Sequence, residues 1–348
     1  MTADDAPGAA GAATAGDAPG ADRVAALWAD IEAAPDELAA LLHLQRAALA
    51  DLPLGALTRP TWLFVGMGSS RFAALDTAAR LRALGHDAHA ELASASGGAP
   101  AGRDTLVVAI SASGRTPEVL AAVERLRGTS FVLAVTADPA SPLAAAAEGV
   151  LPLVAAHAET SGIATLTYRA SVAALLRLAG EGEPDLEPAG IRVAVPLLGA
   201  LLRGRDAWLT AAADVLDGGR PIHVLGDGMR SGALEQAALM LREAPRIPAM
   251  PFDTGDWLHV GLYTLFPGDP VLLFTGSPAD DEAVRVIRAR GGRVVTVGAP
   301  GLASDVHVPL PETAVMDPVV RALVEPAVAE LLAAELWGRA SARLLGDA

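Results

Sequence analysis

Apolar residues recur at helical spacing near the start of the chain. Between residues 23 and 57, Val24, Leu27, Trp28, Ile31, Leu38, Leu41, Leu42 and Leu49 follow at mostly three- and four-residue steps, the spacing that lines one helix face. Pro35 and Asp36 punctuate the run, so the pattern predicts two short helices joined at 33–35. From Thr61 the pattern changes. Trp62-Leu63-Phe64-Val65 is a short continuous apolar run ending in Gly66-Met67-Gly68-Ser69-Ser70, and a helical segment follows to Leu84. Similar runs at 106–110, 131–135 and 150–154 are separated by helix-length stretches. Short apolar strands alternating with helices predict a parallel sheet covered on both faces.

The scheme then repeats. Ile222-His223-Val224-Leu225 runs into Gly226-Asp227-Gly228, offset by 160 residues from Gly66-Met67-Gly68. The run at 271–274 ends in Thr275-Gly276-Ser277, much as 106–110 ends in Ser111-Ala112-Ser113, and 293–297 corresponds to 131–135. An internal duplication of an α/β unit is the simplest account. The acidic, proline-containing stretch EGEPDLEP at 181–188 is the natural linker. The expected architecture is α/β: a disordered tail over 1–22, a helical lead-in over 23–57, one doubly wound parallel-sheet domain over 58–180, a linker over 181–190 and a second such domain over 191–348.

Composition narrows the chemistry. The 348 residues carry 26 basic and 41 acidic side chains, a formal charge of -15; every basic residue is Arg, and Cys is absent. Without Cys there is no disulfide, thiol nucleophile or Cys-ligated metal, and without Lys no Schiff base or Walker lysine. The acidic balance argues against nucleic acid as a partner. Alanine accounts for much of the 52% hydrophobic content. No stretch approaches the ~18 uninterrupted apolar residues of a membrane span. The acidic, Pro/Gly-containing N-terminus lacks the basic start and apolar run of a signal peptide, so a cytoplasmic location is expected.

The segment Ser111-Ala112-Ser113-Gly114-Arg115-Thr116-Pro117-Glu118 follows a strand and opens a helix. Hydroxyls, a glycine that permits close backbone approach and a helix N-terminus together suit an anion. An ordinary turn with Thr116 as N-cap fits the same residues. The first strand ends in a second hydroxyl turn, Gly68-Ser69-Ser70. In an open parallel sheet the carboxyl ends of neighbouring strands converge on one crevice, so both turns can face one phosphorylated ligand. Neither turn has the spacing of a nucleotide P-loop or a dinucleotide fingerprint.

With these motifs the chain resembles the sugar isomerase (SIS) proteins with tandem domains, most closely the isomerase half of glucosamine-6-phosphate synthase. The resemblance runs from about Leu27 to about Trp337. Ile31-Glu32-Ala33-Ala34-Pro35 resembles the family's N-terminal lead-in, and Gly68-Ser69-Ser70 stands where the family has Gly-Thr-Ser. Ser111-Ala112-Ser113-Gly114-Arg115-Thr116 stands at its Ser-Gln-Ser-Gly-Glu-Thr. Ser141-Pro142-Leu143-Ala144 and ETSGIATLT at 159–167 resemble further signatures. The resemblance implies that Ser69, Ser70, Ser111, Ser113 and Thr116 hold a sugar phosphate, and that Thr165 and Ala164 lie at the sugar.

In the second half, Glu243 closes a predicted helix before Ala244-Pro245, and His259 follows sixteen residues later in Gly255-Asp256-Trp257-Leu258-His259. A carboxylate beside a sugar can take a proton from carbon next to a carbonyl, and an imidazole can open the ring; taken singly, each residue could equally be an ordinary surface group. The resemblance assigns Glu243 as the base and His259 as the ring-opening group reaching into the neighbouring subunit, which implies a homodimer. It also marks departures: Met240 and Thr167 stand where the family has lysines, and the lysine-bearing tail and glutaminase domain have no counterpart. The implied function is a phosphosugar aldose–ketose isomerase for a hexose 6-phosphate or similar, without cofactor, metal, nucleic acid or membrane partner. Alternatives are an amino-sugar phosphate deaminase or deglycase, and a sensor that binds sugar phosphate without turnover. Asp253, Asp256 and His259 are too thin a set for a metal site. Trp257 is expected beside the site or at a dimer contact, and His157 in a structural role. Arg71 and Arg230 suit either an anion or a surface ion pair.

Overall fold

In a computed structural model, residues 21–52, 60–95, 101–182 and 189–346 are described. Most of the expected tail, residues 53–59 of the lead-in and its sequel, and 183–188 of the expected linker lie outside them. The chain opens with α1 (Ala21–Ala50), one helix with Pro35 inside it rather than the two helices that the proline predicts. It begins within the stretch expected as tail. Proline in a helix interior costs about 3 kcal/mol. Leu27, Ile31, Leu38 and Leu41 are nevertheless buried on both sides of Pro35. At roughly 1.5–3 kcal/mol for each such side chain, that packing outweighs the break.

The first half continues as β1 (Thr61–Gly66), α2 (Ser69–Ala83), β2 (Asp87–Leu92), β3 (Thr105–Ile110), α3 (Pro117–Leu126), β4 (Phe131–Thr136), α4 (Pro142–Ala146), β5 (Gly149–Pro152) and α5 (Leu166–Gly182). The second half runs α6 (Ala189–Arg203), α7 (Leu209–Leu216), β6 (Ile222–Gly226), α8 (Ser231–Glu243), β7 (Ala249–Asp253), α9 (Thr254–Trp257), β8 (Pro270–Phe274), α10 (Asp280–Ala289), β9 (Arg293–Gly298), β10 (Val306–Pro309), α11 (Glu312–Met316), α12 (Pro318–Val324) and α13 (Pro326–Gly346). Each half forms a five-stranded sheet with every pairing parallel, in the orders β2-β1-β3-β4-β5 and β7-β6-β8-β9-β10. The two orders are the same, as duplication predicts.

The strands are apolar on both sides because both sides are covered. In the first sheet Trp62, Phe64, Leu106 and Val108 face the large core that joins the halves, while Leu63, Val65, Val107 and Val132 face α3 and α4. Val271, Leu273 and Val294 bury the outer face of the second sheet against α10. The shared core is filled by α1, α2, α5, α6, α7, α8 and α13. A buried ion pair crosses it: Arg169 Nη2 on α5 lies 2.8 Å from Glu330 Oε2 on α13, and its Nε donates to the Leu323 carbonyl at 2.9 Å. No described helix is long and apolar enough to cross a membrane.

Candidate active site

The strand order places a crevice where β1 and β3 end side by side, because the chain leaves β1 toward β2 on one side and toward β3 on the other. Both hydroxyl turns open onto this edge. Gly68, with φ of 51°, turns the chain into α2, and Ser69 and Ser70 stand half-buried in its first turn. In the second turn Ser111 Oγ and Thr116 Oγ1 share a hydrogen bond of 2.9 Å, and Ser111 Oγ accepts the Gly114 N–H at 3.1 Å. Ser113 is exposed, its hydroxyl accepting the Arg115 N–H at 3.2 Å. Thr116 does flank the first residue of α3, but its hydroxyl caps no backbone N–H there; it belongs to the turn. Gly114 is required: its φ is 62°, and a Cβ would lie 2.1 Å from Ser141 Oγ and 2.9 Å from Thr136 Oγ1.

A carboxylate arrives from the other half. At the start of α8 the Gly232 N–H donates to Asp76 Oδ1 on α2 at 2.7 Å. One turn on, Gln236 Nε2 donates to the Ala164 carbonyl at 2.8 Å, in the segment that follows β5 past the carboxyl edge of the first sheet. Glu243 ends the helix, close enough to Glu159 of that segment for the two carboxylates to repel. Thus α8 starts against α2 and ends beside the segment 159–165 that follows β5 of the first half. Burial raises the Glu243 carboxyl above the usual glutamate range, Arg242 draws it down, and Glu159 pushes it up again.

Glu159 is itself raised by burial, opposed by hydrogen bonds from Thr167 and Thr165 and reinforced by Asp30. Thr167 Oγ1 donates to its Oε2 at 2.6 Å, and Thr165 Oγ1 and the Thr167 N–H to its Oε1 at 3.2 Å. Thr165 is therefore fully buried with its hydroxyl engaged, while half-buried Ala164 offers its carbonyl to Gln236. The segment is tied to α1 by two buried carboxylates. Glu37 accepts the N–H groups of Ala155, Ala156 and His157 at 2.6–2.8 Å. Asp30 accepts those of Thr160 and Ser161 at 2.8–3.1 Å. Sequence reasoning gave no role to Asp30, Glu37 or Glu159. A usable signal existed: Asp30 and Glu37 sit seven residues apart beside the apolar stripe of α1, where a charge has to be paired.

His259 is exposed just beyond α9, which follows the carboxyl end of β7, whereas Glu243 precedes β7. The two therefore stand at opposite edges of the second sheet. The helix between those edges, α8, has 13 residues, about 20 Å at roughly 1.5 Å each. One chain does not bring this pair together.

Comparisons with known proteins bear on the fold. The first half matches one family over residues 59–179. Those residues are a SIS domain. Over 221 residues, 60% of this chain and 35% of the relative, the sequence is 31% identical to the glutamine–fructose-6-phosphate aminotransferase [isomerizing] of Aeropyrum pernix. The chain thus spans about a third of the length of that relative. The fold is shared with the C-terminal domain of glucosamine-fructose-6-phosphate aminotransferase from Francisella tularensis, with a TM-score of 0.75 and 15% identity over 91% of this chain and 96% of that one. It is also shared with the tagatose-6-phosphate ketose/aldose isomerase of Escherichia coli, with a TM-score of 0.77 and 19% identity over 92% and 93% of the chains.

The remaining candidates fall around the two sheets in definite roles. Trp257 is neither beside the first crevice nor at the surface. It is fully buried under the second sheet, its indole N–H donating to His223 Nδ1 at 2.9 Å, because a buried indole needs an acceptor and β6 supplies one. Asp253 caps α9, accepting the Asp256 N–H at 2.9 Å and the Gly228 N–H at 2.8 Å. Among the described residues no group of three His, Asp or Glu side chains is gathered for a metal. Arg230 makes an ion pair with Glu325, but a buried rather than a surface one. Arg71 has its Nε buried beside the first turn of α2, with no acceptor among the described residues.

Proposed function

We propose that this chain is a phosphosugar isomerase that interconverts the aldose and ketose forms of a hexose 6-phosphate or similar sugar phosphate. One observation carries the reading: α8 brings Glu243 from the second half beside Glu159 in the first, and burial raises that carboxyl toward the range of a working base. In this reading the hydroxyls of Ser69, Ser70, Ser111, Ser113 and Thr116 and the N–H groups of the second turn hold the phosphoryl oxygens. Thr165 and Ala164 border the sugar. Glu243 takes the proton from C2 of the open aldose while O1 gains one, leaving a cis-enediol. Returning the proton to C1 as O2 loses its own completes the ketose. The steps move only protons and need no cofactor. With no lysine in the chain, none passes through a Schiff base.

Ring opening requires a proton delivered to the ring oxygen and one removed from the anomeric hydroxyl. The partner subunit's His259 serves that step in a cytoplasmic homodimer, since Glu243 and His259 of one chain stand at opposite edges of a sheet. The test is to incubate the chain with fructose 6-phosphate, glucosamine 6-phosphate and related sugars in deuterated water. Deuterium entering C1 or C2, reduced about 10²–10⁴-fold in Glu243→Gln, supports the isomerase. Ammonia release would instead identify a deaminase. Binding without exchange would identify a sensor.

A further inference from the structure

The second half has a crevice of its own, built from different chemistry. Its sheet repeats the order of the first, so the ends of β6 and β8 flank a gap equivalent to that between β1 and β3. A cavity of about 430 Å³ lies there, lined in part by Met229 after β6 and Gly276 after β8. The turn after β8 is already filled: Asp280 Oδ2 accepts the N–H groups of Gly276 at 2.7 Å and Ser277 at 3.0 Å. An anion in this crevice has to be held by side chains.

Three guanidinium groups converge on the cavity, Arg80 from α2, Arg230 from the turn before α8 and Arg321 from α12. Arg80 reaches it from the other half, as Glu243 reaches the segment 159–165 of the first. The helices α2 and α8 meet so closely that a Cβ on Gly232 would lie 2.0 Å from the Phe72 carbonyl oxygen, and each sends its far end over the other half. Gly276 admits two of the guanidiniums, since a Cβ there would lie 3.2 Å from Arg321 Nη1 and 3.4 Å from Arg230 Nη2. Arg80 Nη2 donates to the Pro318 carbonyl at 2.8 Å, Arg230 Nη2 to those of Phe274 and Thr275 at 3.1 Å and Arg321 Nη2 to that of Thr275, and carboxylates stand among the three groups. Glu325 serves both Arg230, at 2.5 Å, and Arg321, at 2.6 Å. Asp76 and Asp317 attract Arg80 while Arg230 repels it, and Asp227 at the cavity accepts the Met229 N–H at 2.8 Å. The rest of the wall is largely apolar, with Met229, Val315 and Met316.

We propose that this second crevice binds an organic phosphate, with phosphoryl oxygens on Arg80, Arg230 and Arg321 and the organic body against Met229, Val315 and Met316. A planar carboxylate has two oxygens and is satisfied by one guanidinium fork. A phosphate monoester brings three terminal oxygens and close to two charges, which suits three guanidiniums from three elements. The cavity lies within the range of small-molecule pockets, roughly 300–1,000 Å³, and its apolar wall favours an ester over the bare ion. The inference is independent of the reaction proposed for the first crevice.

Calorimetric titration of the full chain with phenyl phosphate and with inorganic phosphate tests it. The Ser111→Ala/Ser113→Ala variant isolates the second crevice. Phenyl phosphate is expected to bind that variant at least tenfold more tightly than inorganic phosphate. Adding Arg80→Gln is expected to weaken it at least tenfold. Met316→Asp changes a residue that is 77% exposed, so it tests the site without disturbing the buried ion pairs, and the same loss is expected. No binding to the serine variant, equal affinity for the two phosphates, or unchanged affinity in Met316→Asp would overturn the proposal.

Discussion

Replacing Asp76 by Asn tests how the halves are joined. Asp76 is buried on α2 and accepts the N–H groups that open α8. Burial raises its carboxyl from 3.8 to about 6, against the pull of those N–H groups, Arg80 and Arg230. A carboxyl that ionises near 3.8 unfolded and near 6 folded holds its proton more tightly in the folded chain. Its contribution to stability is full below about pH 4 and is lost as the pH rises through about 6. About two units at roughly 1.4 kcal/mol each amount to roughly 3 kcal/mol. Asn keeps an acceptor for the Gly232 N–H and does not titrate. Urea denaturation of both proteins at intervals from pH 4 to pH 8 isolates the effect, because other titrating groups cancel in the difference. Wild type is expected to lose about 2–3 kcal/mol relative to Asp76→Asn across that range. A flat difference, or one in which wild type gains with rising pH, would refute the reasoning.

Gly114→Ala should remove phosphate-dependent function. A left-handed residue costs about 1–2 kcal/mol without glycine, and the Cβ would collide with Ser141, so sugar-phosphate KM should rise at least tenfold while the chain still folds. Glu159→Gln keeps one acceptor oxygen for Thr165 and the Thr167 N–H, turns the other position into a donor to Thr167 Oγ1, and removes the charge that pushes Glu243 up. The acid limb of kcat/KM should move to lower pH, and an unmoved limb would separate the two carboxylates. Mixing Glu243→Gln with His259→Ala subunits should restore about a quarter of wild-type activity, since half of randomly mixed dimers hold one intact site of two. No recovery after verified exchange would exclude a shared site.

Much of the fold was legible because the central strands are buried on both faces and therefore read as unbroken apolar runs. The strands that escaped notice lie at sheet edges. β2 has the sequence Asp87-Ala88-His89-Ala90-Glu91-Leu92 and is half-buried; β7 and β10 are also half-buried edge strands. Pro35 misled because local propensity does not register the tertiary packing on either side of it. The hydroxyl turns were legible from residue type and position after a strand. The destination of α8 was not: periodicity marks its helix, but only the meeting of Gly232 with Asp76 sends Glu243 to the other half. Trp257 was misplaced for the same reason, since its acceptor lies 34 residues away on a neighbouring strand.

The crossing of α2 and α8 also decides what severing the chain between the halves would do. In the readings proposed above, each fragment would lack a side chain its own crevice uses: the first Glu243, the second Arg80. Neither fragment would be a smaller working protein. Recombined, they would have to dock along the apolar core that joins them before either crevice was whole. Two halves with one strand order would thus depend on each other.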